Sequence, residues 1–382
     1  MIIIIIPILL LLTIDLYLIL RPKSKLNLFP INYNIKSNNE FLEINCLIKI
    51  INQSKYKETM IPNLDIKLSV FNQDFNEDLR YKKKIILEDN SIDKDITRYF
   101  PTTIIKTNSS IKIKSKVKFK SSDINKLNYL WFIIDWENYG HFGLINKQDC
   151  YLININKGLI KEKDIKRIPI NKEYEAIAIK THLLGVFDDP IETISAYLKG
   201  IIQKNDVLVL GETPLAIMQG RYITPQNLKP TFFSKILCYF FHPTSSLATA
   251  YGMQLLINKI GVTRITLSLL VGLFFKIIGI KGIFYRLTGP ESSLIDDISG
   301  TTSPYDKTIV MGPKDSKSFC CELSKLLNIE VAVVDVNDLG GVKVLSSSNK
   351  LINNLLRKTL KENPAGNDDQ KTPIVLIRKK IT

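Results

Sequence analysis

Residues 329–345 read IEVAVVDVNDLGGVKVL, and they set Asp335, Asn337 and Asp338 between a β-branched apolar run and the pair Gly340 and Gly341. Carboxylates at the end of a buried strand, beside backbone that can turn tightly, suit one task well. They can hold a divalent cation against phosphate oxygens, because hard cations prefer carboxylate oxygen and bridge readily to phosphate. A polar turn joining two strands has the same composition, so both readings stand on spacing alone.

Such a loop needs rigid elements around it. From residue 175 the pattern alternates: 176–180 reads as a strand, 190–199 as a helix and 207–211 (VLVLG) as a second strand, which indicates an α/β domain over 175–382. His182 follows the first of these strands, with Asp188 and Asp189 close behind. It is a candidate ligand-binding residue, although a lone histidine more often serves a structural hydrogen bond. Residues 157–174, charged and weakly periodic with Pro169, read as the linker in front of this domain.

Upstream, residues 28–156 alternate apolar and polar positions in short runs such as 41–51 (FLEINCLIKII), 64–71 (LDIKLSVF) and 111–119 (IKIKSKVKF). Recurrent turn residues between them fit a two-sheet β-sandwich of about seven or eight strands. Lys112, Lys114, Lys116, Lys118 and Lys120 fall at period 2, giving one strand an entirely cationic face. A solvated or edge-protecting face is the first reading of that row, and a surface turned to anionic lipid the second. No catalytic constellation occurs in this region.

The chain begins with IIIIIPILLLLTIDLYLIL over residues 2–20, long enough to cross the hydrocarbon core as one helix. Asp15 is its only charge and lies near one end, where it can reach the interface. Arg21, Lys23 and Lys25 follow, and no basic side chain precedes. Residues 1–20 are therefore expected to form a retained single-pass anchor, with the bulk of the chain in the cytoplasm. The formal net charge of +15 is spread along the whole sequence, which fits an anionic membrane surface better than nucleic acid, and no nucleic-acid partner is expected. Five cysteines without metal-type spacing fit a reducing compartment.

The segment LVLGETPLAIMQGR, residues 208–221, resembles the strand and small-residue helix near the start of the coenzyme F-420:L-glutamate ligase (F-420-0 gamma-glutamyl ligase) family, which ends in a similar Gly-Arg. Residues 331–341 are similar to that family's strand leading into an Asp-x-x-Gly turn, and 307–312 to the segment ahead of the preceding helix. The resemblance covers 175–382, implies a glutamyl-ligase-like α/β domain there, and leaves the transmembrane helix and the all-β sandwich unexplained; with those two read from the residues, the expected fold is an α+β multidomain protein. The resemblance further implies a GTP-dependent acid-amino acid ligase, with Mg²⁺ or Mn²⁺ at the phosphates, joining glutamate to a phosphate-bearing acceptor. Asp338 carries over as a metal ligand, with Asp335 beside it. Arg221, Arg286, Asn337, Gly340, Gly341 and His182 are candidates for nucleotide or substrate. Val342 and Lys343 stand where the family has arginines, and no clean counterpart of its glycine- and asparagine-rich segment exists between Gly282 and Asp297. Asp296 and Asp297 are the substitute metal candidates there. A non-catalytic binding or scaffold protein with the same fold is the rival reading.

Residues 232–241 (FFSKILCYFF) and 265–280 (ITLSLLVGLFFKIIGI) are unusually apolar, and the second is cut by Lys276. A buried helix or a homodimer contact is the first expectation for them, and a membrane-facing surface the second.

Overall fold

The computed structural model describes the chain apart from residues 1, 21–22, 38–40, 71–80, 90–91, 97–99, 121–126, 156–164, 244, 297–302, 337–339, 367–370 and 381–382. Two compact units form: Met1–Ile155 with Ile223–Gly300 and Pro304–Ile309, and Asn156–Tyr222 with Thr301–Ser303 and Val310–Thr382. The sequence suggested one crossing, in the linker. The chain crosses again after Tyr222, so the apolar stretch 223–300 belongs with the sandwich and not with the α/β domain.

The first unit opens with helix α1 (Ile2–Leu20) and continues as ten strands: β1 (Leu26–Ser37), β2 (Phe41–Asn52), β3 (Thr59–Ile61), β4 (Leu64–Val70), β5 (Tyr81–Asp89), β6 (Ile92–Ile96), β7 (Thr103–Ile105), β8 (Ser110–Lys120), β9 (Tyr129–Gly140) and β10 (Gly143–Asn154). One sheet runs β1-β2-β8-β5-β6; the other runs β10-β9-β3-β7, with β4 also on β9. Strict alternation builds the core. In β2 every second residue is buried, and Ile44, Cys46, Ile48 and Ile50 are wholly enclosed. Strand β8 does the same with Ile113, Ser115 and Val117, which turns Lys112, Lys114, Lys116 and Lys118 outward. Those lysines do not guard an edge, since β8 is the middle strand of its sheet. They face solvent opposite Glu43 and Lys82 at one end and Lys49 and Glu88 at the other.

The second unit starts with β11 (Ile165–Pro169), β12 (Tyr174–Ile179), α2 (Pro190–Leu198), β13 (Val207–Gly211) and α3 (Glu212–Met218). After the short β14 (Tyr222–Ile223), the chain builds α4 (Phe232–Leu237), α5 (Ala250–Ile260), α6 (Val262–Ile277) and α7 (Ile283–Thr288) in the first unit. It passes back through β15 (Ile309–Val310) and completes the second unit with α8 (Ser316–Leu327), β16 (Glu330–Val336), β17 (Val342–Ser347), α9 (Asn353–Thr359) and β18 (Ile374–Lys379).

The sheet of the second unit is ordered β11-β12-β18-β13-β16-β17 and is covered on both faces, which is why its strands read as continuous apolar runs. Ile177, Leu208, Val331 and Leu376 pack under α2 and α8, while Ala178, Val209, Ala332 and Val375 pack on the α9 side.

Asp15 is not left facing the interface. Its Oδ1 accepts from the Val262 amide at 2.6 Å and its Oδ2 from the Thr263 amide at 3.0 Å, so it caps α6 and ties α1 to it. The carboxylate occupies the space beside Gly261, whose φ of +85° a side chain would strain. Among the described residues no single helix is long and apolar enough to cross a membrane; α5 and α6 reach the required length only together, bent by 112°.

Candidate functional site

Strands β13 and β16 are parallel, and β18 is antiparallel to both β13 and β12. The carboxyl ends of β12, β13 and β16 therefore share one edge of the sheet, the edge at which open α/β sheets bind ligands. His182 follows β12 there, Glu212 follows β13, and Asp335 stands one residue from the end of β16. The chain entering β18 closes the same edge, where the Thr181 amide donates to Lys371 O at 2.9 Å and the Gly211 amide to Pro373 O at 3.1 Å.

Asp335 is half-buried and lies opposite Lys343 of β17. Burial pushes its carboxyl upward, and the Lys343 charge pulls it back. Gly340 holds a φ of +79° in the loop between β16 and β17, which fits the tight turn read from the glycine pair, and Gly341 follows it. Asn337 and Asp338 lie outside the described residues, as does Asp297.

Glu212 is the site residue that spacing did not single out. It opens α3, it is buried, and the pairing of Gly211 with Val334 brings it level with Asp335 on the neighbouring strand. An acid placed immediately after the apolar run VLVLG was the available signal. Two carboxylates at one level of the strand ends form a donor set that suits a hard cation. Among the described residues, however, no group of three or more His, Cys, Asp or Glu side chains is placed to hold a metal ion.

His182 has both ring nitrogens engaged. Nδ1 lies 2.7 Å from the Tyr197 hydroxyl and Nε2 lies 3.1 Å from Asp188 Oδ2, while the His182 amide donates to the same hydroxyl at 2.7 Å. The Tyr197 hydroxyl on one side and the Asp188 carboxylate on the other hold the ring in place. Asp188 also accepts from the Gly185 amide at 2.8 Å, and Asp189 caps α2 by accepting from the Ile191 and Glu192 amides. The cluster fixes the loop after β12.

Arg221 lies beyond α3. Its Nε donates to Gly312 O at 2.6 Å, and its carbonyl accepts from the Met311 amide at 2.8 Å. Gln219 exchanges two hydrogen bonds with the Lys314 backbone alongside. Met311 and Gly312, at the end of one segment that carries the family resemblance, thus meet Arg221, at the end of another, in this unit. Arg286, exposed on α7, and the half-buried Asp296 belong to the first unit.

Two cavities among the described residues lie away from these side chains. One of about 620 Å³ is lined by Lys172, Tyr174, Asn354 and Lys358, at the start of β12 and so at the opposite edge of the sheet. One of about 530 Å³ in the first unit is lined by Asp15, Lys23, Lys147, Lys229 and Gln254.

The Lys147 ammonium donates to Leu26 O at 2.7 Å, and burial holds its pKa below the usual lysine value. Nearby, Asp149 accepts from Trp136 Nε1 at 2.7 Å, and burial raises its carboxyl to about 6. A carboxyl raised on folding from 3.8 to about 6 binds its proton more tightly in the native state. The stability this gives is complete below pH 4 and is lost as pH climbs through 6. Asp149→Asn keeps an acceptor for Trp136 and cannot ionise. It should melt like the parent at pH 4 and be more stable by about 1–2 kcal/mol at pH 8. An equal offset at both pH values would show that the ionisation is not the cause.

Residues 27–157 match the family model for the N-terminal Ig-like domain of F420-0:gamma-glutamyl ligase. The match spans β1 to β10, about a third of the chain, and lies in the part that the C-terminal resemblance left unexplained. That resemblance therefore does not stop at the C-terminal domain. No curated protein sequence matches the chain. Solved structures with similar parts include a putative ApaA protein from Bordetella pertussis, at 8% identity over 36% of this chain and 99% of that one, TM-score 0.22. A protein from Archaeoglobus fulgidus matches at 9% identity over 33% of this chain and 92% of its own, TM-score 0.19.

Proposed function

We propose that this protein is a membrane-anchored relative of the F-420-0:gamma-glutamyl ligases that forms an amide bond between glutamate and a phosphate-bearing acceptor, with GTP and Mg²⁺ or Mn²⁺. The observation that carries the reading is the family match over 27–157, because it falls on a different part of the chain from the Gly-Arg and Asp-x-x-Gly motifs that suggested the same family. The apolar run of α1, followed by Arg21, Lys23 and Lys25, supports the anchor and a cytoplasmic bulk.

In this reading Asp335 and Asp338 hold the divalent ion, with Glu212 alongside. When bound, the ion neutralises charge that develops on the transferred phosphoryl group. Asn337, Gly340 and Gly341 bring backbone and amide groups close to the phosphates. The Nε bond to Gly312 aims the Arg221 guanidinium, whose terminal nitrogens then meet a phosphate oxygen. His182 orients the loop after β12 through Tyr197 and Asp188. Asp296, Asp297 and Arg286 remain candidates from the first unit's segment.

Calorimetric titration with GTP and Mn²⁺ tests the site. The parent should bind nucleotide only with metal, and Asp338→Ala should weaken that binding about ten-fold or more while its melting temperature stays near the parent's. If Asp338 serves only its turn, the substitution costs about 1 kcal/mol of stability and leaves affinity alone. A parent without metal-dependent binding would favour the non-catalytic scaffold. That second reading has its own support, since His182 and Arg221 both spend polar atoms on the protein's own loops.

A further inference from the structure

We infer that the helical segment of the first unit carries an interfacial membrane surface of its own, separate from α1, which seats against a bilayer containing anionic phospholipid. Residues 223–290 hold seven lysines and arginines and no aspartate or glutamate, where the average acidic content of the chain would place about seven. Within this stretch the apolar side chains are not all turned inward. The first half of α6 is packed through Val262, Ile265 and Leu269, whereas in its second half Leu270 is exposed, Phe274 is 63% exposed and Ile277 is 86% exposed. Ile278 continues the exposed run, and Tyr239 (87%) and Phe240 (53%) add to it.

These groups are neighbours. The Phe241 and Phe284 rings meet at 4.8 Å, and Phe284 packs so closely on Gly272 of α6 that a Cβ there would lie 3.2 Å from it. The aromatic turn after α4, helix α7 and the outer half of α6 therefore form one patch. Lys235, Lys276, Lys281 and Arg286 are exposed along it.

A span is a poor account of this segment. Helix α6 has 16 residues, or roughly 24 Å, which is short of a hydrocarbon core of about 30 Å. Helix α5, set at 112° to it, is buried from Gly252 to Ile257 and cannot face lipid. A second copy of the chain is also a poor occupant, because a two-fold contact apposes each patch to itself and sets like charges together. Apolar and aromatic groups flanked by lysine and arginine, with no carboxylate, match the headgroup boundary of an anionic leaflet. The Asp15 bonds to α6 join this surface to the first helix, and the inference stands apart from the ligase reading.

Full-length protein should be reconstituted into vesicles of phosphatidylcholine alone and of phosphatidylcholine with one part in three phosphatidylglycerol, both carrying brominated acyl chains. Phe274→Trp and Tyr239→Trp are two independent probes, read against the buried Trp131 and Trp136 of the parent, with Tyr56→Trp on the sandwich as control; all should first melt like the parent. In the anionic vesicles both probes should be quenched about two-fold more than the control, and Lys276→Glu with Lys281→Glu should remove most of the difference. Quenching no greater than the control's, or equal in both lipids, overturns the inference. A blue shift that grows with protein concentration without bromine quenching assigns the patch to a second copy and also overturns it. So does loss of quenching through Lys114→Glu with Lys116→Glu on β8 when the Lys276 and Lys281 pair has no effect. None of these results bears on GTP binding.

Discussion

Arg378→Met should destabilise the second unit by about 3–5 kcal/mol, enough to leave it largely unfolded near physiological temperature. Arg378, in β18, holds Asp206 through Nε to Oδ1 at 2.9 Å and a terminal nitrogen to Oδ2 at 2.7 Å, and also donates to Ile201 O. The Asp206 side chain is 1% exposed and the Arg378 side chain 10% exposed. Removing the cation strands a carboxylate that water cannot reach, and that penalty exceeds what the pair itself contributes. Replacing both partners, Arg378→Met with Asp206→Leu, should therefore recover most of the loss. Melting curves of the parent, the single and the double variant decide the point. A double variant as unstable as the single one would mean that the bond to Ile201 matters more than the charge.

Gly252→Ala should be nearly as damaging, by about 3 kcal/mol or more, for a steric reason. A Cβ at Gly252 would lie 2.2 Å from the Ser246 carbonyl oxygen and 3.1 Å from Thr249 Oγ1. The neighbours are held in place. Thr249 caps α5 by accepting from the Gly252 amide at 3.0 Å, and the turn Ser246–Ala248 is itself capped by Ser245. No flexible side-chain tip can swing aside, so the start of α5 has to move. Thermal unfolding should show the loss. A variant that melts like the parent would mean that the turn before α5 has room to relax.

Local pattern identified the elements well where neighbours in sequence decide the outcome. The run 41–51 is β2 to within one residue, 207–211 coincides with β13, and 190–199 is α2. An acid after an apolar run marks a strand end, and Asp335 stands one residue from the end of β16, whereas Glu212 carries the same signal after β13 and spacing did not single it out. What escaped depends on distant partners. Arg378 and Asp206 are 172 positions apart, and Asp15 finds its amides 247 and 248 positions away. No periodicity reports such pairs. The lysines of β8 show the same limit: their shared face was legible, but a middle strand and an edge strand alternate alike, and only pairing tells them apart. The grouping of 223–300 with the sandwich was hidden for the same reason.

The Asp15 carboxylate decides how the first helix carries a mechanical load. A helix joined to its protein only by the chain that follows it is a leash, and the body at its end can tumble through every angle the slack permits. Here two amides of α6 grip that helix from the side, so a pull on it is delivered into the body without first straightening the connection. The joint is a bracket, and it fixes the angle at which α1 leaves α6.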